Sequence, residues 1–263
     1  MLLVSNRGYR YGDGLFETIK VIDEKILLKD YHFERLFESL SILKFEIPSL
    51  FKIEKLEKEI LQLCKKNQCE KLGRVRLSVS RGNGGLYDEN KNLQYIIECW
   101  PLNESTNKLN ENGLIIDIYP DAVKSCDKFS NIKSANFLPY SMAALFAREN
   151  KLNDCLLQNS EGTIADSTIA NIFIIKDEVV YTPPLTDGSV NGVMRRYLIK
   201  QLKAAKYQLK EVSLTIDALR NADEVFLTNA IKGISWVKQF RDSTYSNIKT
   251  AEIYNSFIKT IHA

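Results

Sequence analysis

The chain is short of histidine, of clustered cysteine, of net charge and of long apolar runs, and each shortage removes a class of function. Two histidines and five cysteines (64, 69, 99, 126 and 155), with no Cys-x-x-Cys spacing, leave few ligands for a metal centre, so none is expected. The odd thiol number reads as reduced cysteines in a cytoplasmic protein rather than as a disulfide framework. The 36 basic and 33 acidic residues nearly cancel and are spread along the sequence, which argues against nucleic acid or a membrane surface as partner. No apolar stretch approaches the ~20 residues of a membrane-spanning helix. The start, Met1-Leu-Leu-Val-Ser5, lacks the basic n-region and small-residue cleavage site of a signal peptide.

What remains is a chain of 263 residues, 44% of them hydrophobic, long enough to bury a real core in one large or two modest domains. The apolar pattern predicts strands at Leu2–Val4, Leu15–Ile22 and Ile26–Leu28, helices over Tyr31–Leu43 and Leu56–Cys64, and strands at Arg74–Val79 and Tyr95–Trp100. Residues 102–112 are polar and aperiodic and read as a linker between a domain of 1–101 and a larger one of 113–263. The second part alternates strands (Leu114–Ile118, Asp154–Gln158, Asn171–Ile175, Val179–Thr182, Glu224–Leu227) with helices (Phe137–Glu149, Val193–Lys206, Ala251–His262). That mixture gives an α/β or α+β fold of two unequal domains.

Two segments carry chemistry. Lys133 follows the polar turn Ser130-Asn131-Ile132 and precedes a run, Phe137–Phe146, with helical apolar spacing. An amine held out of bulk water at such a junction loses its proton more readily and becomes a nucleophile for a carbonyl. Downstream, Glu161-Gly-Thr-Ile-Ala-Asp166-Ser-Thr-Ile-Ala-Asn171-Ile-Phe173 sets Asp166 in a Ser/Thr-rich turn before an apolar strand. An amine able to form a Schiff base, with an isolated acid able to pair with a pyridinium nitrogen, is what pyridoxal 5'-phosphate requires of a protein. Gly192 stands directly before a predicted helix, whose first amides would make a phosphate cradle. His32 and Arg35 share one face of the Tyr31–Leu43 helix. Arg81-Gly-Asn-Gly-Gly85 lacks the lysine and following helix of a phosphate loop, and reads as a flexible loop over the site.

With these segments the chain resembles the fold-type IV pyridoxal-phosphate enzymes: branched-chain and D-amino acid aminotransferases and 4-amino-4-deoxychorismate lyase. The resemblance runs through Asn6–Thr18, His32-Phe-Glu-Arg35-Leu, Ser80–Gly85, the Lys133 and Asp166–Phe173 segments, Val190–Arg195 and Ala222–Ala230. It implies a small α/β domain and a larger pseudo-barrel domain with the cofactor between them, and a homodimer acting on a small-molecule amine. Lys133 would carry the cofactor and Asp166 would pair with its ring nitrogen, with Glu161 as fallback. The phosphate would be held by Arg35 and the amides of Val193 and Met194, leaving His32 structural. Where the aminotransferases place a phosphate-binding threonine this chain has Ala230, so Asn229 or the Ile231 amide would substitute. Phe16, Tyr9 and Tyr87 would line the pocket.

The acid itself departs from the family, which has glutamate at the place of Asp166. Leu86 stands where D-amino acid aminotransferases carry a substrate-binding arginine. Asn191-Gly-Val-Met-Arg195 and Asn229-Ala230 resemble the aminodeoxychorismate lyase branch, which serves folate biosynthesis. The expected activity is therefore release of 4-aminobenzoate and pyruvate, with a branched-chain-like or other class IV aminotransferase as the alternative. A protein keeping the fold without the chemistry is a third reading, motivated by Asp166 and by the absence of residues that relatives have before Asn6.

Overall fold

A computed structural model describes residues 3–88 and 92–262. The chain falls into two compact units, 1–104 with 132–137, and 105–131 with 138–263.

The first unit opens with a short helix, α1 (Arg7–Tyr11), started by the Asn6 side chain accepting from the Gly8 amide at 2.8 Å and ended at Gly12. Gly12 has φ +63°, a left-handed conformation that a side chain would strain. The strand expected at Leu2–Val4 is not formed: Leu3 and Val4 are exposed, Val4 lies in a turn, and Leu2 lies outside the described residues. Next come β1 (Gly14–Ile22), β2 (Lys25–Ile26), α2 (Lys29–Ile42), α3 (Ile53–Lys66), β3 (Leu72–Ser80) and β4 (Gln94–Pro101). The strands form an antiparallel sheet in the order β2-β1-β3-β4. Alternation puts Leu15, Ile19 and Val21 of β1 beside Val75, Leu77 and Val79 of β3 on one face. Against that face pack Phe33, Leu36 and Leu40 of α2 and Leu56, Ile60 and Cys64 of α3, each set at three- and four-residue spacing.

The Gly82–Gly85 segment, expected to be flexible, is tied to the α1 region. The Arg7 amide donates to Gly82 O, the Gly84 amide to Ser5 O, and Arg7 Nη1 to Gly85 O. Residues 132–137, counted by the sequence reading in the second domain, join the first unit. They run along the start of β1, with Phe16 N–H donating to Lys133 O at 3.0 Å and Ala135 N–H to Gly14 O at 2.9 Å.

The second unit holds β5 (Leu114–Lys124), α4 (Leu138–Glu149), β6 (Asp154–Asn159), β7 (Ile164–Ser167), β8 (Asn171–Lys176), β9 (Val179–Thr182) and α5 (Val193–Ala204). It continues through β10 (Leu209–Glu211), α6 (Ile216–Arg220), β11 (Glu224–Asn229), β12 (Gly233–Phe240) and β13 (Ser243–Thr244). The sheet runs β10-β9-β8-β11-β12-β5-β6-β7, with β13 beside β12. Its two ends meet, since the Ile164 amide of β7 donates at 2.8 Å to Leu214 O just past β10. The sheet is thus curled into the expected pseudo-barrel. The central strands β8 and β11 are buried on both faces almost throughout. Phe173 and Phe226, paired across them, stack at 5.1 Å.

Two local expectations change. The 102–112 segment carries a 3-10 turn at Glu104–Asn107, and Asn110 clamps Trp236: its amide nitrogen donates to Trp236 O and its side-chain oxygen accepts from the Trp236 amide. The helix expected at Ala251–His262 is broken into α7 (Ile248–Ile253), a π-helical turn at Tyr254–Ile258 and α8 (Lys259–His262). No helix of the described residues is long and apolar enough to cross a membrane.

Replacing the fully buried Leu36 by alanine should cost about 2–5 kcal/mol of stability through lost burial and the cavity left behind. The urea midpoint reads this, and a loss below about 1 kcal/mol would mean that the helix face is not packed as described.

Candidate active site

The first unit positions Arg35 through an acid that the sequence reading passed over. Glu17 lies on the core-facing side of β1 between Leu15 and Ile19, where its carboxylate needs charged partners. They come from α2. Arg35 Nε donates to Glu17 Oε1 at 2.8 Å and Arg35 Nη2 to Glu17 Oε2 at 2.6 Å. His32 Nδ1 lies 2.7 Å from Glu17 Oε2. Burial lowers the pKa of His32, and although Glu17 opposes this, the nearby Arg35 and Lys133 charges act with burial. The neutral ring then donates Nδ1–H to a carboxylate that can only accept. His32 is structural in this arrangement, as expected, and the guanidinium is held in one orientation.

Lys133 is half-buried beside the same strand. Its Nζ sits 4.5 Å from the Phe16 ring centre and 5.6 Å from that of Phe137, rings that meet edge-on at 5.5 Å. Arg76 covers Phe16 at 3.7 Å. Phe16 is therefore buried among cations as well as apolar neighbours. Tyr9 and Tyr87, expected to line the pocket, are 75% and 95% exposed in the single chain.

The second unit gathers the other predicted residues around the start of α5. Asp166 is not in a turn: it belongs to β7, and the turn follows at 168–170, where the Ala170 amide donates to Ser167 Oγ. Its carboxylate is 2% exposed and accepts from Tyr140 O–H and from the Val190 amide. Val190 O in turn accepts from Asn171 Nδ2 at 2.8 Å. Asn171 Oδ1 would lie 1.9 Å from a Cβ at position 192, so only glycine lets the chain enter α5 this close to the sheet. The first bond inside the helix runs from Arg196 N–H to Gly192 O, so the Val193 and Met194 amides precede the ladder. Arg195 is turned away, donating to Pro183 O and Glu211.

At the end of β11, Asn229 Oδ1 accepts from the Ile231 amide at 3.0 Å and from the Lys232 amide at 2.9 Å. The two groups expected to substitute for a threonine are thus bonded to each other around Ala230. Instead, the buried Thr228 Oγ1 has no hydrogen-bond partner, and Thr228 pairs across the sheet with Asn171, the residue packed on Gly192. An unsatisfied hydroxyl beside a helix N-terminus, together with a buried acid, fits a phosphate and a ring nitrogen. Glu161, the fallback acid, is exposed.

The sequence profile of the amino-transferase class IV family matches residues 14–240, and the chain belongs to that family. A putative branched-chain-amino-acid aminotransferase of Methanocaldococcus jannaschii is 30% identical over 95% of this chain and 86% of its own. The aminodeoxychorismate lyase of Bacillus subtilis is 28% identical over 92% and 82%. Other relatives are D-alanine aminotransferases of Bacillus and Listeria. A putative 4-amino-4-deoxychorismate lyase from Legionella pneumophila superposes with a TM-score of 0.87 at 26% identity, covering 97% of this chain and 94% of that one. The fold is that of the fold-type IV enzymes, and the cofactor is pyridoxal 5'-phosphate.

Burial alone would raise the Glu17 pKa, but the Arg35 charge and the hydrogen bonds from His32 and Arg35 outweigh it, and the carboxyl ends at about 2 instead of 4.5. A depressed folded-state pKa contributes stability that is present above pH 4.5 and lost as pH falls toward 2, on the order of 3 kcal/mol. Glu17→Gln should remove that part of the acid-side slope and lower stability at neutral pH, because it strands a buried guanidinium. Urea midpoints of both proteins from pH 6 downward test this, and equal slopes would refute it.

Proposed function

We propose that the chain is a pyridoxal-phosphate-dependent lyase that takes 4-amino-4-deoxychorismate to 4-aminobenzoate and pyruvate. The observation that carries the reading is the pair of segments Asn191–Arg195 and Asn229-Ala230. Both follow the lyase branch, and around both the local contacts come from backbone amides and asparagine side chains. The lyase names among the relatives support it. The cofactor, when bound, supplies an aldehyde for amines and a ring that stores an electron pair.

The chain's own residues do the rest. Arg35, locked by Glu17 in the first unit, and the Val193 and Met194 amides in the second would each offer donors suited to the phosphate. Asp166 would pair with the ring nitrogen. Lys133 Nζ would hold the cofactor, and as a free amine it would be the base that takes the proton from the carbon bearing the substrate nitrogen. The ring C–O bond to the enolpyruvyl group would then break, the released enolate would take up a proton to become pyruvate, and formation of the aromatic ring would drive the step. Phe16 and Phe137 keep water from the lysine.

A second reading, an aminotransferase in which Lys133 moves a proton between substrate carbon and cofactor, is favoured by the 30% identity to the branched-chain relative. Leu86 speaks against a D-amino acid substrate. The functional unit is a homodimer. Tyr9–Tyr11 at the end of α1 and Leu86-Tyr87 are exposed, and the segments that carry them are bridged by Arg7 and by the Arg81–Asp13 ion pair; this is the patch through which a second subunit would complete the pocket.

Lys133→Ala should abolish turnover while the fold survives, because the residue pairs along β1 through its backbone. Arg35→Ala should weaken cofactor binding by roughly 2–3 kcal/mol. Initial rates with aminodeoxychorismate should exceed those with leucine plus 2-oxoglutarate; the reverse order would replace the lyase by the aminotransferase. Sedimentation with cofactor present should give a dimer mass, and a monomer mass would remove the shared pocket.

A further inference from the structure

Asp166 raises a physical problem if it serves the cofactor as proposed above: its side chain is one carbon shorter than the family's glutamate, and a carboxylate on a short arm still rotates about its last bond. The second unit contains a device that holds it. Tyr140, on the first turn of α4 and 6% exposed, places its hydroxyl 3.0 Å from Oδ2 and 3.2 Å from Oδ1 of Asp166. The Val190 amide, from the loop leading into α5, donates to Oδ2 at 2.9 Å. A helix and a loop thus approach one buried carboxylate with donors, which defines both its position and its plane. Lys124, at the end of β5, donates to Ser130 O at 3.0 Å and lies 5.2 Å from the Tyr140 ring centre, adding a cation on the same side.

We propose that Tyr140 is the positioning residue for Asp166, its hydroxyl aligning the shorter acid so that it can serve the cofactor's ring nitrogen. The inference rests on the cofactor reading of Asp166 and adds to it a residue that acts through that acid. Burial and the adjacent Asp166 push the Tyr140 pKa up, so the phenol keeps its proton and remains a donor. A hydrogen bond to a charged acceptor is worth more than a neutral one, and fixing the acceptor in advance spares its ordering when the cofactor binds.

Five full-length proteins decide the matter: wild type, Asp166→Asn, Tyr140→Phe, and Asp166→Glu with and without Tyr140→Phe as the closing pair of a double-mutant cycle. For each, the dissociation constant of pyridoxal phosphate, the visible spectrum of the bound cofactor and the melting temperature of the apoprotein are measured. Tyr140→Phe keeps the ring and its packing. It should weaken cofactor binding by about tenfold and shift the spectrum, with little change in apoprotein melting. Asp166→Glu adds one C–C bond of reach and carries the carboxylate off the present hydroxyl contact. In that background Tyr140→Phe should cost less than about threefold.

If Asp166→Asn leaves binding and spectrum unchanged, the cofactor reading of Asp166 itself fails. If Asp166→Asn changes both but Tyr140→Phe changes neither, the positioning role is overturned while the reading stands. The role is also overturned if Tyr140→Phe lowers only the apoprotein melting temperature, or if its effect is the same with aspartate and glutamate at position 166.

Discussion

The first unit depends on one buried ion pair, Arg35 against Glu17. Leu15, Glu17, Ile19 and Val21 share the face of β1 that α2 and α3 cover, so the carboxylate is placed in the core by the same alternation that places its apolar neighbours. Left alone there, it would be protonated or would unfold the unit. The fork of Arg35 and the ring of His32 keep it ionised well below the ordinary range. Their grip ties α2 to β1 at one register, which makes the arginine a fixed feature rather than a swinging surface side chain. A planar guanidinium presents five N–H donors in a fixed fork, a geometry suited to phosphate as well as to carboxylate.

The second unit solves a related problem with different chemistry. Asp166 is as buried as Glu17, but it accepts from a phenol and a backbone amide. The supports of that amide lead outward: Val190 is bonded to Asn171, Asn171 packs on Gly192, and Gly192 opens α5. Acid and helix N-terminus are therefore set by one run of contacts, and a change at Asn171 or Gly192 would disturb both. A further buried acid, Asp154, braces the turn beyond Asp166 by accepting from the Thr168 hydroxyl and amide.

Several features were legible in the sequence because they depend on local periodicity. The alternation of β1 and β3, the helical spacing of α2 and α3, and the apolar runs of β8 and β11 all appear where the pattern puts them, with ends displaced by a few residues. Glu17 was legible too: an acid in phase with Leu15, Ile19 and Val21 announces a buried charge in need of a cation, and His32 and Arg35 share one helix face. The strand character of Asp166 was hidden by its Ser/Thr-rich neighbours, because a four-residue strand is formed by pairing with β6 and not by propensity.

By itself, the sequence determined the class of fold, the family and the residue types that the cofactor chemistry requires, since these rest on short-range pattern and on motifs. Tertiary structure decided which of those residues are held and by what. Tyr140 meets Asp166 only because α4 packs beside β6, a contact between residues far apart in sequence that no spacing rule encodes. The pairing of Lys133 with the start of β1 and the bonding of Asn229 to Ile231 are likewise products of where the backbone runs. A side chain's chemistry is set by its own atoms; its pKa, its orientation and its partners belong to the neighbours that folding brings to it.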